Sequence, residues 1–217
     1  MFESKYSSFL TALLVIIIVG IIGLLGYLGY TFFQKSVIDK ESGDFVDTFL
    51  EETSDDRTGD GDVGNLDVDE TPVSSTGTRK YKGYDVVGTI EIPATNVKYP
   101  ILDSVTKGSI EAAVAVMWPA NPTLNKPGNV VIAGHNYRNG LFFSNNKRLN
   151  SGDKIYITDL EGTRLSYTIY DKFETTSEDT RYIYRNTNGA REISLSTCTD
   201  ASDNQRIIIL AKADGDS

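Results

Sequence analysis

Reactive groups are scarce in this chain. Its 217 residues include one cysteine and one histidine. A single cysteine excludes an intramolecular disulfide, so Cys198 is a free thiol and no covalent staple supports the fold. One Cys and one His cannot make a zinc site without several carboxylates. There is no glycine-rich phosphate loop and no internal repeat, and the carboxylates lack the loop spacing of an EF-hand. No cofactor is expected. The formal net charge is −9, but it is unevenly spread. Asp39 to Glu70 holds thirteen acidic and two basic residues, a net of −11. Arg79 to the C-terminus holds seventeen basic and sixteen acidic residues, a net of +1. A near-neutral C-terminal part argues against a nucleic-acid surface, and no nucleic-acid partner is expected.

Charge is also missing between Lys5 and Lys35. After a short tail, residues 1–8, the run Phe9 to Phe33 is nearly all apolar and would be about 37 Å long as a helix. A bilayer core of roughly 30 Å needs about 20 residues, so residues 9–33 read as a transmembrane anchor in the lipid bilayer. The run is too long for the apolar part of a signal peptide, and no small-x-small cleavage site follows it, so the anchor is read as uncleaved. Lys5 and the terminal amine precede the run, and Lys35 and Lys40 follow it, so the positive-inside count is a tie.

Residues 34–78 are acidic and rich in Ser, Thr and Gly, and from Glu51 onward too little apolar surface exists to offset the entropy of ordering. They read as a largely disordered stalk, with an amphipathic turn or two around Phe45, Val46, Phe49 and Leu50. Residues 79–217 read as one all-β domain. Short β-prone runs recur at 86–92, 97–102, 130–133, 154–158, 165–173, 192–197 and 206–211, separated by turn clusters such as Asn150-Ser-Gly-Asp153. Seven or eight such strands predict a closed barrel or a sandwich. Residues 109–117 read as the one good short helix, with Ser109 as its N-cap.

Three residues bearing chemistry fall at strand ends. His135 follows Val130-Val-Ile-Ala-Gly, Cys198 ends one strand, and Arg206 opens the next. If the last two strands pair, the thiol and the guanidinium meet at one end of a sheet. Pairing with His135 can raise the thiolate fraction of a thiol whose unperturbed pKa is about 8.5, and the imidazolium can protonate a leaving amine. Arg206 stays charged and can donate to an oxyanion. The residues alone leave three readings open: acyl transfer through a thioester, another cell-wall cysteine peptidase or L,D-transpeptidase, and a non-catalytic stalked β-barrel with a structural Cys. An L,D-transpeptidase usually carries His two residues before its Cys, where this chain has Ser196.

The fragments Gly128-Asn-Val-Val-Ile-Ala-Gly-His135-Asn, Leu195-Ser-Thr-Cys198-Thr and Gln205-Arg206-Ile-Ile resemble the active-site motifs of the sortases, cysteine transpeptidases of the Gram-positive cell surface. Gly88-Thr-Ile-Glu-Ile-Pro93 through Tyr99-Pro100-Ile101 resembles the start of their barrel. The resemblance implies an all-β fold, a closed eight-stranded sortase-type β-barrel with one or two short helices, behind a single N-terminal transmembrane helix. It implies His135 as proton donor and acceptor, Cys198 as nucleophile, Arg206 as oxyanion or substrate stabiliser, and Thr197 as a substrate contact. The implied partners are the sorting signal of a secreted surface protein, of the Leu-Pro-x-Thr-Gly type, and an amine of a cell-wall precursor or a pilin lysine. The implied location is the cell membrane, single-pass, with the catalytic domain outside. In some sortases the segment corresponding to residues 174–190 helps bind calcium, and Glu174, Glu178 and Asp179 are the carboxylates available for it here. No C-terminal apolar segment is present, unlike the pilin-polymerising subgroup.

Overall fold

The computed structural model describes residues 3–55 and 79–216. Helix α1 spans Glu3–Asp55. Its apolar N-terminal part makes it long and apolar enough to cross a membrane, with a mean hydropathy of 2.9 over its most apolar window. The chain divides into two compact units, residues 1–40 and 41–217.

In the second unit, α1 corrects the expected stalk. Ser42, Val46, Phe49 and Thr53 are all buried. Their spacing of four, three and four residues draws one stripe down a helix. Phe49 packs with Tyr81, Val86, Leu102, Ala113 and Ala115. The acidic residues of the same turns point elsewhere and pair with barrel lysines, Asp47 with Lys98 and Glu41 with Lys82. Few apolar residues suffice here because they are phased to one face. Residues 56–78 of the expected stalk lie outside the described residues.

The barrel is built from β2 (Tyr84–Ile92), β3 (Val97–Leu102), β4 (Val114–Trp118), β5 (Gly128–Ala133), β6 (Lys154–Asp159), β7 (Arg164–Thr176), β8 (Arg191–Cys198) and β9 (Gln205–Ala213). A two-residue strand, β1 (Lys80–Tyr81), extends β2 at the edge. The order β2-β3-β4-β5-β8-β9-β7-β6 closes where β6 pairs back onto β2. Eight strands in one ring leave no free barrel edge. The closure needs Gly88: a Cβ there would lie 2.3 Å from the Thr158 carbonyl oxygen. Ile90, Ile132, Ile157, Leu195 and Ile209 are fully buried.

A second element differs from the sequence expectation. The helix α2 is Lys107–Ala112, and its N-cap is Thr106, whose side chain accepts from the Ser109 backbone N–H while the Ser109 hydroxyl accepts from the Thr106 N–H. Ser109 therefore completes a capping box one turn inside the helix. Residues 114–117, expected to be helical, belong to β4. The β-branched Val114 and Val116 suit a strand, and the segment has a parallel partner in β3 and an antiparallel one in β5.

Candidate active site

Strand direction brings the three singled-out residues to one end of the barrel. β5 and β8 run parallel, with Ala133 opposite Ser196. Both therefore point their C-terminal ends the same way. His135 stands two residues beyond Ala133, as Cys198 stands two beyond Ser196, so both lie at this end. β9 runs antiparallel to β8 and pairs Arg206 directly with Cys198. An Arg206 Nη1 proton is donated to Cys198 Sγ at 3.4 Å. The same nitrogen also donates to the backbone carbonyls of Asp203 and Gln205 in the β8–β9 turn. That turn is knotted by its own side chains: the Thr199 hydroxyl accepts from the Ser202 N–H at 3.1 Å and donates to the Ser202 carbonyl oxygen. The guanidinium thus stands against a fixed turn. Cys198, His135 and Arg206 are each half-buried.

His135 is held by what flanks it. The Gly134 N–H donates to the Ser196 carbonyl at 3.1 Å, continuing the parallel ladder past the strand end. The Thr197 hydroxyl donates to the Gly134 carbonyl at 2.7 Å. Asn136 Nδ2 donates to the Cys198 carbonyl at 2.9 Å and to Asp200 at 2.8 Å, and Asp200 in turn pairs with Lys147. The residues on both sides of His135 are therefore tied to the strand that carries the thiol. Gly134 is required by a close approach, since a Cβ would sit 2.7 Å from the Phe143 ring. The imidazole lies against the Tyr137 ring, with centroids 4.7 Å apart. Burial lowers the His135 pKa below its ordinary value, and the negative charge of Glu111 on α2 partly opposes this.

Thr197 is held to the His-bearing segment. It is 3% exposed, and the alternation of a strand puts it on the face opposite Ser196 and Cys198. Its hydroxyl donates to the Gly134 carbonyl and so ties down the segment that carries His135.

Of the carboxylates named for calcium, Asp179 is engaged by its neighbours. Asp179 accepts from Arg181 Nε and Nη2, both at 2.9 Å, and from the Thr175 hydroxyl. These bonds, with Arg181 first, pull its pKa well below the usual carboxylate range. A calcium ion there would face a guanidinium. Among the described residues no three His, Cys, Asp or Glu side chains group to hold a metal.

Sequence reading missed Asn136, Glu111 and the apolar cover over the thiol's face. On that face Val131, Ile208 and Leu210 pack with Tyr182, and Ile183 adds to the cluster. Tyr182 and Ile183 come from the segment between β7 and β8. Their apolar character within a polar stretch was the available signal.

Fold and geometry define a closed β-barrel with a thiol–guanidinium pair at one rim and a histidine just beyond the end of the neighbouring strand. A sortase-domain family profile matches residues 90–214, more than half of the chain, and the chain belongs to the sortase family. It is 29% identical to sortase A of Bacillus anthracis over 151 residues, 66% of this chain and 67% of that one. It is 32% identical to sortase A of Listeria monocytogenes over 123 residues, 56% of this chain and 53% of that one, so it spans about half of that relative's length. Among solved structures, a Clostridium perfringens sortase D5 transpeptidase matches with TM-score 0.57 and 26% identity, over 83% of this chain and 99% of that one. A lid mutant of sortase A from Corynebacterium diphtheriae matches with TM-score 0.55 and 26% identity, over 62% of this chain and 73% of that one.

Proposed function

We propose that this chain is a membrane-anchored cysteine transpeptidase. It cleaves a Leu-Pro-x-Thr-Gly-like sorting signal and passes the acyl group to an amine of a cell-wall precursor or a pilin lysine. The observation that carries this reading is the placement of Cys198 Sγ 3.4 Å from Arg206 Nη1, with His135 at the matching end of the parallel strand.

The lowered pKa of His135 favours a neutral imidazole at pH 7, able to take the thiol proton as Sγ attacks the scissile carbonyl carbon. The carbonyl π electrons move to oxygen, and Arg206 donates to that oxyanion. When the tetrahedral intermediate collapses, the C–N bond breaks and the imidazolium gives its proton to the leaving amine. The acyl group remains on Sγ as a thioester. The acceptor amine then attacks it, loses a proton to His135, and the thiol is regenerated. Every step uses only side chains of this chain and the two substrates.

The test is aminolysis. Full-length protein in detergent micelles, given a Leu-Pro-x-Thr-Gly peptide and hydroxylamine, is expected to form the Thr-hydroxamate. Cys198→Ala and His135→Ala should abolish it. Arg206→Ala should lower turnover by about 10²–10³, the usual contribution of one oxyanion donor. Undiminished turnover in Cys198→Ala would overturn the mechanism.

A further inference from the structure

Residues 177–190 connect β7 to β8 with no strand of their own and lie over the face that carries Cys198. One side chain gathers the contacts that fasten them. Arg185 Nη1 donates to the Glu192 carboxylate and, at 2.6 Å, to the Tyr170 hydroxyl. Its Nη2 donates to Asn129 Oδ1 at 3.0 Å. With its carbonyl oxygen so engaged, the Asn129 amide directs Nδ2 at the backbone carbonyls of Tyr182 (2.9 Å) and Ile183 (3.1 Å). The Tyr182 hydroxyl comes within 3.3 Å of Ser196 Oγ, and Ser196 is two residues before Cys198 on the same face. Through Asn129 and Tyr182, contacts thus lead from the guanidinium to Ser196, on the face that carries the thiol.

This arrangement is a poor device for stability alone. The side chains of Arg185 and Glu192 are only 16% and 9% exposed, and Arg185 Nε is buried with no partner. Removing two charges from water to this extent costs about as much as their attraction returns, and replacing such a pair by apolar residues is often neutral. What the planar fork supplies is direction, which a lysine cannot reproduce. The Tyr170 phenol reinforces it: burial, with the adjacent Glu192, pushes its pKa up to about 12, so it stays a donor to that carboxylate over the whole working range.

We propose that Arg185 is a positioning residue for the peptide site: through Asn129 and Glu192 it fixes where Tyr182 and Ile183 stand on the sheet face that carries Cys198, and so sets affinity for an apolar side chain of the peptide. The proposal rests on the reading of Cys198 as a peptide-transferring nucleophile. Arg185 itself touches no reacting atom.

The test uses the full-length chain in detergent. Arg185→Met alone leaves the Glu192 carboxylate buried without its cation, so the informative variant is the double change Arg185→Met, Glu192→Met. With the Leu-Pro-x-Thr-Gly peptide, the double variant should raise KM about tenfold, the scale of one lost apolar contact in a pocket. The kcat should change less than twofold. Alkylation of Cys198 by iodoacetamide should keep its rate, and limited proteolysis within residues 177–190 should speed up. Arg185→Lys should fall between parent and double variant in KM. An unchanged KM in the double variant overturns the proposal, as does a fall in kcat and thiol reactivity at constant KM. If the parent itself turns over no peptide, the transferase reading fails separately. The proteolysis then still decides the role of Arg185, and cleavage at the parental rate refutes it.

Discussion

Thr197 precedes the thiol by one residue yet points to the other side of β8. Its hydroxyl proton goes to the Gly134 carbonyl, and both groups are buried. Thr197→Val keeps the shape and removes the donor, leaving a buried carbonyl short of a partner, at a cost of about 1–3 kcal/mol. Urea unfolding should show that loss. Hydroxamate formation should fall with it, because the unpaired carbonyl belongs to the residue before His135, while Thr197→Ser should retain most of both. His135 itself gives a pH signature. Its folded pKa lies below the ordinary 6.5 because burial disfavours the imidazolium. Between the folded pKa and 6.5 the unfolded chain binds more protons than the folded one. Stability therefore declines as pH falls from 6.5 through the folded pKa, and levels off below it. The acid limb of kcat/KM should lie below 6.5 for the same reason. Glu111 holds the pKa up against burial, so Glu111→Gln should move that limb to lower pH. A limb above 6.5 in the parent would contradict the assignment of His135 as base.

At the scale of elements, the C-terminal turns of α1 belong to the barrel's support. Phe49 is 2% exposed, and its ring lies 4.6 Å from the Arg79 guanidinium. Phe49→Ala should cost about 3–5 kcal/mol, as buried aromatics do, measured by denaturant unfolding of the full chain. A loss below 1 kcal/mol would mean these turns do not bear on the barrel. Two elements were hard to read for related reasons. The stripe Ser42, Val46, Phe49 and Thr53 is half polar, so composition hides a phase that only the packed helix reveals. Val114-Ala-Val-Met-Trp118 is a run of apolar residues, too short for periodicity to separate strand from helix. The other seven barrel strands were legible because β-branched runs are bounded by turn residues. Of the site, Cys198 and Arg206 were legible as a hairpin pair, since antiparallel register follows from a short turn. The Arg185–Asn129 contact joins positions 56 residues apart, and no local pattern announces a pairing of that separation. Asn136 was adjacent to His135 all along, but its partner, the Cys198 carbonyl, is 62 residues away.

Along the whole sequence, the excess charge and the apolar run fall on different stretches from the residues that carry the chemistry. The excess acid is concentrated between Asp39 and Glu70, and the portion from Arg79 onward is balanced to a net of +1. In that balanced portion the carboxylates near the thiol's face are already engaged, Asp179 by Arg181, Asp200 by Lys147 and Glu192 by Arg185. We therefore propose that turnover needs no divalent cation. Millimolar chelator should leave hydroxamate formation unchanged, and added calcium should not stimulate it. A several-fold stimulation by calcium would show that Asp179 exchanges its guanidinium for a metal during turnover.

For the membrane anchor of the proposed function, charge sets no orientation, since the lysines on either side of the apolar run balance. Chemistry decides it in the proposed function: a secreted protein carrying a sorting signal presents that signal outside, and so does a cell-wall amine. The single cysteine makes the point measurable. Cys198 is partly exposed, and no other thiol competes for a reagent. A membrane-impermeant maleimide added to intact cells should label this chain, and a Cys198→Ser variant should remain unlabelled under the same conditions. Prior incubation with the sorting peptide should slow the labelling if the peptide covers the thiol as proposed. Labelling that appears only after lysis would place the barrel in the cytoplasm, where neither proposed substrate is available, and would remove the basis for the transpeptidase reading.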